Sequence, residues 1–462
     1  MKGKNFLLLT GLALVLVNCG GDDASSSSST ETISIAAGQE SFTWNSDVRS
    51  QEIQLTGTAN WRVSCDADCR NWCYPVKESG NSASIPLWVS PNITNKARSG
   101  KVTVTVGGRA HTINVSQPAF TGDLDEYVYH LPVVFHVLYK DAKNETQNAP
   151  ASQFNNIITE VNKLYAANGM NIVFEMAQYD KEGEKLAEPG IIRHQMDFDE
   201  LDAGDFLGST DSKYKEFADY QLNLKKYINI FVFPFKQEDN ETTSLGLTAL
   251  PLATSEYPLE GLPQDDKAKD YAYLAQTWAV CINSEYINEW QDEKSVNTYY
   301  IVSTLAHELG HYLGLLHTFS ETECEDDDYC DDTNISDYEN YSTYILNYIT
   351  RELAKDKDRT FTITELATRN DCKTGEEFVA KNILDYMYTF CTEFTKQQFD
   401  RTRHVLKYSP LVPGPKLVDY NTTGTGVRAG SLPTGYGKPQ PCPKVPVKRL
   451  PTVHNLTDPG IA

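Results

Sequence analysis

Residues 307 to 317 read His307-Glu308-Leu309-Gly310-His311-Tyr312-Leu313-Gly314-Leu315-Leu316-His317, and few folds accommodate that order. On a helix, His307 and His311 project from one face, one turn apart, placed to share a metal ion. Glu308 sits beside that face, able to act on a metal-bound water without being a ligand. Gly314 can take the positive φ that ends a helix and turns the chain sharply, which would bring His317 round as a third ligand. Three histidines leave a fourth coordination position open, the mark of a catalytic rather than a structural zinc site. The chemistry such a site supports is metal-assisted hydrolysis, with Glu308 moving the proton. Ile301, Val302, Leu305, Leu309 and Leu313 supply an apolar stripe, so the motif helix is also expected to be a core element, starting near Ser295.

The flanking pattern points to a domain from about 124 to 408. Leu131 to Tyr139 is a near-continuous apolar run and reads as a buried strand. His136 within it reads as a satisfied core histidine rather than a ligand. Ser152 is positioned to cap a helix carrying Phe154, Ile157, Ile158, Val161 and Leu164 at helical spacing. Strands follow at 171–176, 227–233 and 245–251. Strands alternating with two long helices predict an α+β domain, a mixed twisted sheet backed by helices with the zinc cleft along it. Thr395 and Gln398 form a capping box for a last helix that runs to about Lys407.

The His307–His317 segment resembles the metzincin zinc peptidases. Within them, the stretch 127–408 is similar to the pappalysin (cytophagalysin-like) family. The residues that carry the resemblance are Pro132 to Val137, His317-Thr318-Phe319, Asp332-Thr333, Asn382 to Tyr386, Cys391 and Phe394 to Gln398. The resemblance implies a zinc endopeptidase acting on proteins or peptides, with His307, His311 and His317 as ligands and Glu308 as general base. It also implies that the Tyr386 hydroxyl lies near the metal and donates to the oxyanion, the alternative being a core tyrosine. Leu384 stands where the family carries the methionine of its Met-turn; similar volume makes it an acceptable plug beneath the site. By the same resemblance, Cys324 pairs with Cys372 and Cys330 with Cys391. The acidic run including Asp328, Asp331, Asp332 and Thr333 is assigned to calcium on family grounds, against a merely solvated loop. Phe390, just before Cys391, occupies the floor of the pocket for the side chain after the cut. Its apolar ring implies cleavage before Leu, Phe or Tyr rather than Arg or Lys. Residues 334–370 are an insertion with a helix from about Tyr344 to Lys355. Ser244 to Pro251 takes the place of the edge strand along which an extended substrate would pair.

Ahead of this domain, 32–119 shows short alternating strands, with Lys101 to Val106 and His111 to Val115 flanking Gly107-Gly108. The pattern predicts an all-β, immunoglobulin-like sandwich. Trp61-Arg62-Val63, Trp72, Gly80, Arg98-Ser99-Gly100 and Val115-Ser116-Gln117 fall as they do in the BACON domain, a resemblance that implies glycan or mucin binding; a spacer role is the reading favoured. Cys65, Cys69 and Cys73 suit a disulfide plus one thiol better than a metal site, since no histidine accompanies them.

The chain opens as a targeting segment: Lys2 and Lys4, then an apolar run from Phe6 to Val17, too short to span a membrane comfortably. Leu16-Val17-Asn18-Cys19 looks like a lipobox, with residues 1–18 as signal peptide, Cys19 lipidated, and a Ser-rich tether to 31. Asp22 and Asp23 resemble the surface-export signals of Bacteroidota lipoproteins. The expectation is an outer-membrane lipoprotein facing outward, with a membrane contact through the lipid. A net charge of −22 over 462 residues excludes nucleic acid as a partner. Ten cysteines in an exported chain suggest disulfides. Residues 409–462 are rich in Pro and Gly, with basic Lys438, Lys444, Lys448 and Arg449, and read as an extended tail without a core, lying over the acidic surface or mobile. A second function class, a glycan- or mucin-binding surface protein with an idle metzincin domain, is disfavoured by the complete set His307, Glu308, His311, His317 and Tyr386.

Overall fold

The computed structural model describes residues 33–207, 212–236, 242–271, 274, 276–292, 295–418, 420, 440–441, 444–446 and 453–454. The expected signal peptide, Cys19, the tether through residue 31, and Cys442 lie outside the described residues.

The alternating N-terminal segment forms β1 (Ser41–Thr43), β2 (Ser50–Cys65), β3 (Cys73–Pro75), β4 (Ser79–Val89), β5 (Arg98–Val106) and β6 (Arg109–Gln117). Val102, Val104 and Val106 point inward along β5 while Lys101 and Thr105 face water, as the period of two requires. The strands run as one hydrogen-bonded path, β1-β6-β5-β2-β4-β3, not as two separate sheets. The cause is the length of β2. One edge pairs with β4 through Ser50–Gln54 and again through Ala59–Arg62, across a register shift between Gln54 and Ala59, while Trp61–Cys65 also pairs with β5 on the other edge. One core containing Ile53, Val63, Ile85, Val104 and Ile113 serves both halves.

The second sheet comprises β7 (Tyr129–Tyr139), β8 (Ile172–Met176), β9 (Ile191–Gln195), β10 (Ile228–Phe233), β12 (Gly246–Thr248) and β13 (Val280–Asn283), with β11 (Thr242–Ser244) just before β12. Strands β8, β9 and β10 lie parallel to β7, and β13 parallel to β10. Only β12 runs antiparallel to its neighbour β13. Every residue of β10 is buried, which is why it reads as a continuous apolar run. His136, wholly buried on β7, bonds through Nε2 to Asn229 Oδ1 at 3.0 Å and through Nδ1 to His194 at 3.2 Å. It is a core histidine, as the sequence implies.

Two helices back the sheet. Helix α1 (Ala151–Ala167) buries Phe154, Ile157, Ile158 and Val161. It starts two residues earlier than a Ser152 cap requires: Pro150 holds the N-cap position, with no side-chain cap. Helix α2 (Ile301–Tyr312) carries the motif, and Tyr165 of α1 donates its hydroxyl to Ala306 O at 3.0 Å. Its start falls at Ile301 rather than near Ser295, because Ser295–Val296 forms strand β14 instead. The insertion forms α3 (Tyr338–Lys355), and β15 (Phe361–Thr362) follows it. Helix α4 (Lys396–Tyr408) opens with the expected reciprocal Thr395/Gln398 capping box.

The C-terminal segment departs most from expectation. Leu411, Val412 and Val453 are buried in apolar clusters. Strand β16 (Gln440–Pro441) pairs with β12, β17 (Lys444–Pro446) with β11, and β18 (Val453–His454) with both β14 and β15. The N-terminal sheet is docked on the catalytic sheet through Arg49 and Glu175, 2.6 Å apart, and through Trp88, edge-on to Tyr179 and Tyr227. Among the described residues no helix is long and apolar enough to cross a membrane.

Candidate active site

Helix α2 and the turn after it bring three imidazoles together. His311 Nε2 lies 3.0 Å from both His307 Nε2 and His317 Nε2. The opposite ring nitrogens are already committed: His307 Nδ1 donates to Ile383 O at 2.7 Å, and His311 Nδ1 to Leu315 O at 2.8 Å. Those bonds fix the tautomer, so each Nε2 turns an unprotonated lone pair toward the common focus. Burial pushes His311 down to about 4 and His307 well below the ordinary imidazole range, which keeps both neutral and ligand-ready. Three lone pairs this close repel one another unless a cation lies between them. The donor set, three imidazole nitrogens, suits zinc. Among the described residues, this is the one group of three or more side chains placed to hold a metal ion.

The turn that delivers His317 depends on Gly314. Its φ is +90°, and a Cβ there would lie 2.6 Å from Val405 Cγ2 of α4. Arg401 of α4 holds the same turn, donating through Nε and Nη2 to Gly314 O at 3.3 and 3.1 Å. The His317 ring stacks on Phe319, centroids 4.5 Å apart.

Glu308 is buried on the same helix, facing β12. Thr248 Oγ1 donates a short hydrogen bond to Glu308 Oε2. Gly246, two residues earlier, makes the approach feasible: a Cβ there would sit 2.7 Å from Glu308 Cγ and Oε1. Both fall in the edge strand expected at 244–251, but their contact with Glu308 was not legible. Their Gly-x-Thr spacing in a short strand carries no signature, though alternation on one face of an edge strand was a usable signal.

The segment after α3 closes the site from below. Leu384 is fully buried, and a Cβ at Gly310 would touch its Cδ2 at 3.1 Å, so leucine fills the space beneath the motif helix. Tyr386 places its ring 4.7 Å from that of His317 and 5.8 Å from that of His307. A buried ion pair holds this turn. Arg369 Nη1 lies 2.5 Å from Asp385 Oδ1, and Arg369 Nη2 donates to Tyr386 O at 3.1 Å and Tyr388 O at 2.6 Å. The Arg369 guanidinium also covers the Tyr341 ring of α3 at 3.8 Å. Sequence reasoning missed Arg369, a single cation inside an insertion.

The remaining expectations fare unevenly. Cys324 and Cys372 are joined. Cys330 and Cys391 are not, and their surroundings explain why. Cys330 lies in the acidic loop among Asp328, Asp332 and Arg401, whereas Cys391 faces Asp385, Thr389 and Ser303. The calcium assignment finds no support among the described residues. Asp328 accepts at Oδ1 from Cys330 N and Thr333 Oγ1, tying its own loop, and Asp332 Oδ2 accepts from Gln397 N at the start of α4. Asp331 is exposed, and its N–H donates to Gln397 Oε1. Asp328 Oδ2 is buried without a hydrogen-bond partner, but among the described residues these side chains do not form a cluster of ligand atoms. Phe390 is half-buried and packs against the cluster of α3 that contains Tyr341, Ile345 and Ile349. Cys65, Cys69 and Cys73 are all unbonded yet meet one another; hydrogen bonds from Cys69 and then Cys73 bring Cys65 down to about 5. A cavity of about 690 Å³ lies at the junction of the two sheets, lined by Arg49, Trp88, His130, Glu175 and Lys226, away from the histidines.

Residues 211–407 match the model of peptidase family M43, described as "Pregnancy-associated plasma protein-A". Residues 59–118 match the BACON model, described as "Putative binding domain, N-terminal". Among solved structures, mature mirolysin of Tannerella forsythia in complex with a cleaved peptide is 20% identical, with 60% of this chain and 90% of that chain covered, at a TM-score of 0.39. Promirolysin of the same organism is 20% identical over 61% of this chain and 81% of that one, at 0.40. A Bacteroides thetaiotaomicron protein known by NMR is 16% identical, covering 19% of this chain and 85% of its own, at 0.16. No curated protein matches this chain.

Proposed function

We propose, from a catalytic region that belongs to the pappalysin (M43) family of metallopeptidases and follows a BACON domain, that this chain is a zinc endopeptidase cutting extracellular proteins. The observation that carries the reading is the convergence of three Nε2 atoms, with the Nδ1 atoms of His307 and His311 bonded to backbone carbonyls and Glu308 one residue from the first histidine. Zinc, when bound by His307, His311 and His317, supplies the Lewis acidity that activates a water and polarises a peptide carbonyl.

The protein's own groups do the rest. Glu308 takes the proton from the attacking water and passes it to the leaving amine. Thr248 holds one carboxylate oxygen through its hydroxyl, which fixes the direction in which the other works. Tyr386 donates its hydroxyl toward the oxygen that gains charge in the tetrahedral intermediate. The Arg369–Asp385 pair keeps that tyrosine in place.

The finer parts of the reading have separate support. An apolar preference after the cut is read from Phe390 and the apolar α3 cluster against which it packs. Anchoring at the outer surface follows from the Lys2 to Cys19 pattern, which also leads to a lipid contact with the membrane. The BACON domain is read as the part that holds glycan or spaces the enzyme from the surface.

The test is metal content against turnover. The purified chain should carry about one zinc per molecule, as a site with an open fourth position does. It should hydrolyse unfolded protein, and a chelator should stop it. A chain that binds no zinc and cuts nothing, while retaining glycan binding, would favour the idle-domain alternative.

A further inference from the structure

The edge of the catalytic sheet beside Glu308 is already covered, and by this chain's own C-terminal segment. Gln440 lies opposite Thr248 and Pro441 opposite Leu247, antiparallel. Further along, Lys444, Val445 and Pro446 lie opposite Ser244, Thr243 and Thr242 in the same sense. The described residues 440–441 and 444–446 therefore lie along the line 242–248 at two places, 247–248 and 242–244. Thr248 is also the residue whose hydroxyl binds Glu308. An extended peptide adding to this edge in antiparallel fashion would need the same main-chain groups.

We propose that the C-terminal segment is a built-in occupant of the substrate strand's place, holding the peptidase self-occluded until a substrate or a cut displaces it. The inference rests on the reading of β12 as the strand along which substrate lies. Three features favour an occupant over a permanent part of the sheet. The sequence Gln440-Pro441-Cys442-Pro443-Lys444-Val445-Pro446 carries three prolines. Each lacks an N–H, so such a strand can sit at an edge but gives little ladder of its own. Strands β16 and β17 have two and three residues, too short to hold by themselves. Their hold comes from beyond the edge: Val453 is buried among Tyr341, Ile345, Ile349 and Phe361, where β18 pairs with β14 and β15. Finally, the segment is basic at Lys438, Lys444, Lys448 and Arg449 on a chain of net charge −22, so its approach is electrostatically favoured.

Val453 is thus a latch that is not itself among the catalytic groups, and it lies in the α3 cluster. Placing a charge in its apolar site, Val453→Asp, should free the segment without altering a zinc ligand or Glu308. In the full-length protein, amides of residues 242–248 should then exchange about tenfold faster, with β7 and α2 unchanged. In a Glu308→Ala background, a labelled extended peptide of unrelated sequence should bind Val453→Asp more tightly than the parent. With Glu308 intact, kcat/KM for unfolded protein should rise about tenfold, because the competent fraction rises. A synthetic peptide of residues 436–454, added in excess, should reverse the gain competitively. Val453→Thr, nearly isosteric, covers the case in which aspartate disturbs the α3 cluster, and should move every readout in the same direction. Unchanged exchange at 242–248 once residues 453–454 exchange freely would overturn the proposal. So would an uncovered edge in an active enzyme that neither binds peptide more tightly nor turns over faster. Absence of hydrolysis in every form would count against the peptidase reading instead, and the exchange and binding measurements would still decide whether the segment covers the edge.

Discussion

At the scale of single residues, the least conspicuous contacts carry the sharpest consequences. Thr248→Val removes the one hydroxyl shown bonding to Glu308 Oε2 while keeping the shape of the side chain. A hydrogen bond to a charged group contributes about 1.5–3 kcal/mol, so kcat should fall roughly 10- to 100-fold with zinc content unchanged. Thr248→Ser should recover most of it; equal loss in both variants would point to the strand rather than the hydroxyl. Gly246→Ala should be worse, since its Cβ would meet Glu308 directly. His136 makes a prediction about pH. Burial first, then the neighbouring His194, lowers it to about 3 in the folded chain, against an ordinary value near 6.5. Its folded pKa is depressed, so below pH 6.5 the unfolded chain takes up a proton that the folded chain refuses. Stability therefore drops as pH falls from about 6.5 toward 3, by about 2 kcal/mol between pH 7 and 5 from this residue alone. His136→Gln should flatten denaturant-measured stability across that interval by a similar amount. An unaltered slope would show that His136 does not stay neutral.

Among elements, the turn 384–388 is where sequence and structure diverge most instructively. The motif helix was legible because three His, one Glu and one Gly at set spacings admit one metal geometry, and the capping box at Thr395 because it satisfies helix-end donors locally. Leu384 and Tyr386 could be placed by resemblance, but what pins them could not. Arg369 is distant in sequence, and a long-range buried pair leaves no local periodicity. The second disulfide failed for a related reason: cysteine spacing says nothing about whether Cys330 and Cys391 face each other. Removing one partner of the buried Arg369–Asp385 pair leaves a charge uncompensated. Arg369→Met should cost about 3–5 kcal/mol in chemical denaturation and reduce kcat through Tyr386. Combining it with Asp385→Leu should restore most of the stability. Failure of the double variant to recover would mean that the carbonyl contacts of Arg369, not the ion pair, hold the turn.

Across the whole molecule, the central sheet and its two backing helices were readable from apolar runs and helical spacing, whereas the C-terminal segment was not. A stretch rich in Pro and Gly gives no pattern of its own, and its strands exist only because β11, β12, β14 and β15 offer edges. Likewise the N-terminal strands were evident, but their union into one path rests on the length of β2 and its register shift. Specificity belongs to this scale, since Phe390 acts with the packed face of α3. New N-termini from digestion of a mixed protein substrate should be dominated by Leu, Phe and Tyr; a majority of Arg or Lys would contradict that assignment. The account as a whole stands on three histidines holding one zinc beside one base, and a paired measurement on two variants tests it most directly. Glu308→Ala should retain about one zinc per chain and lose hydrolysis by roughly three or more orders of magnitude, while His317→Ala should lose the metal as well. Turnover persisting in Glu308→Ala, or full zinc occupancy in His317→Ala, would contradict it.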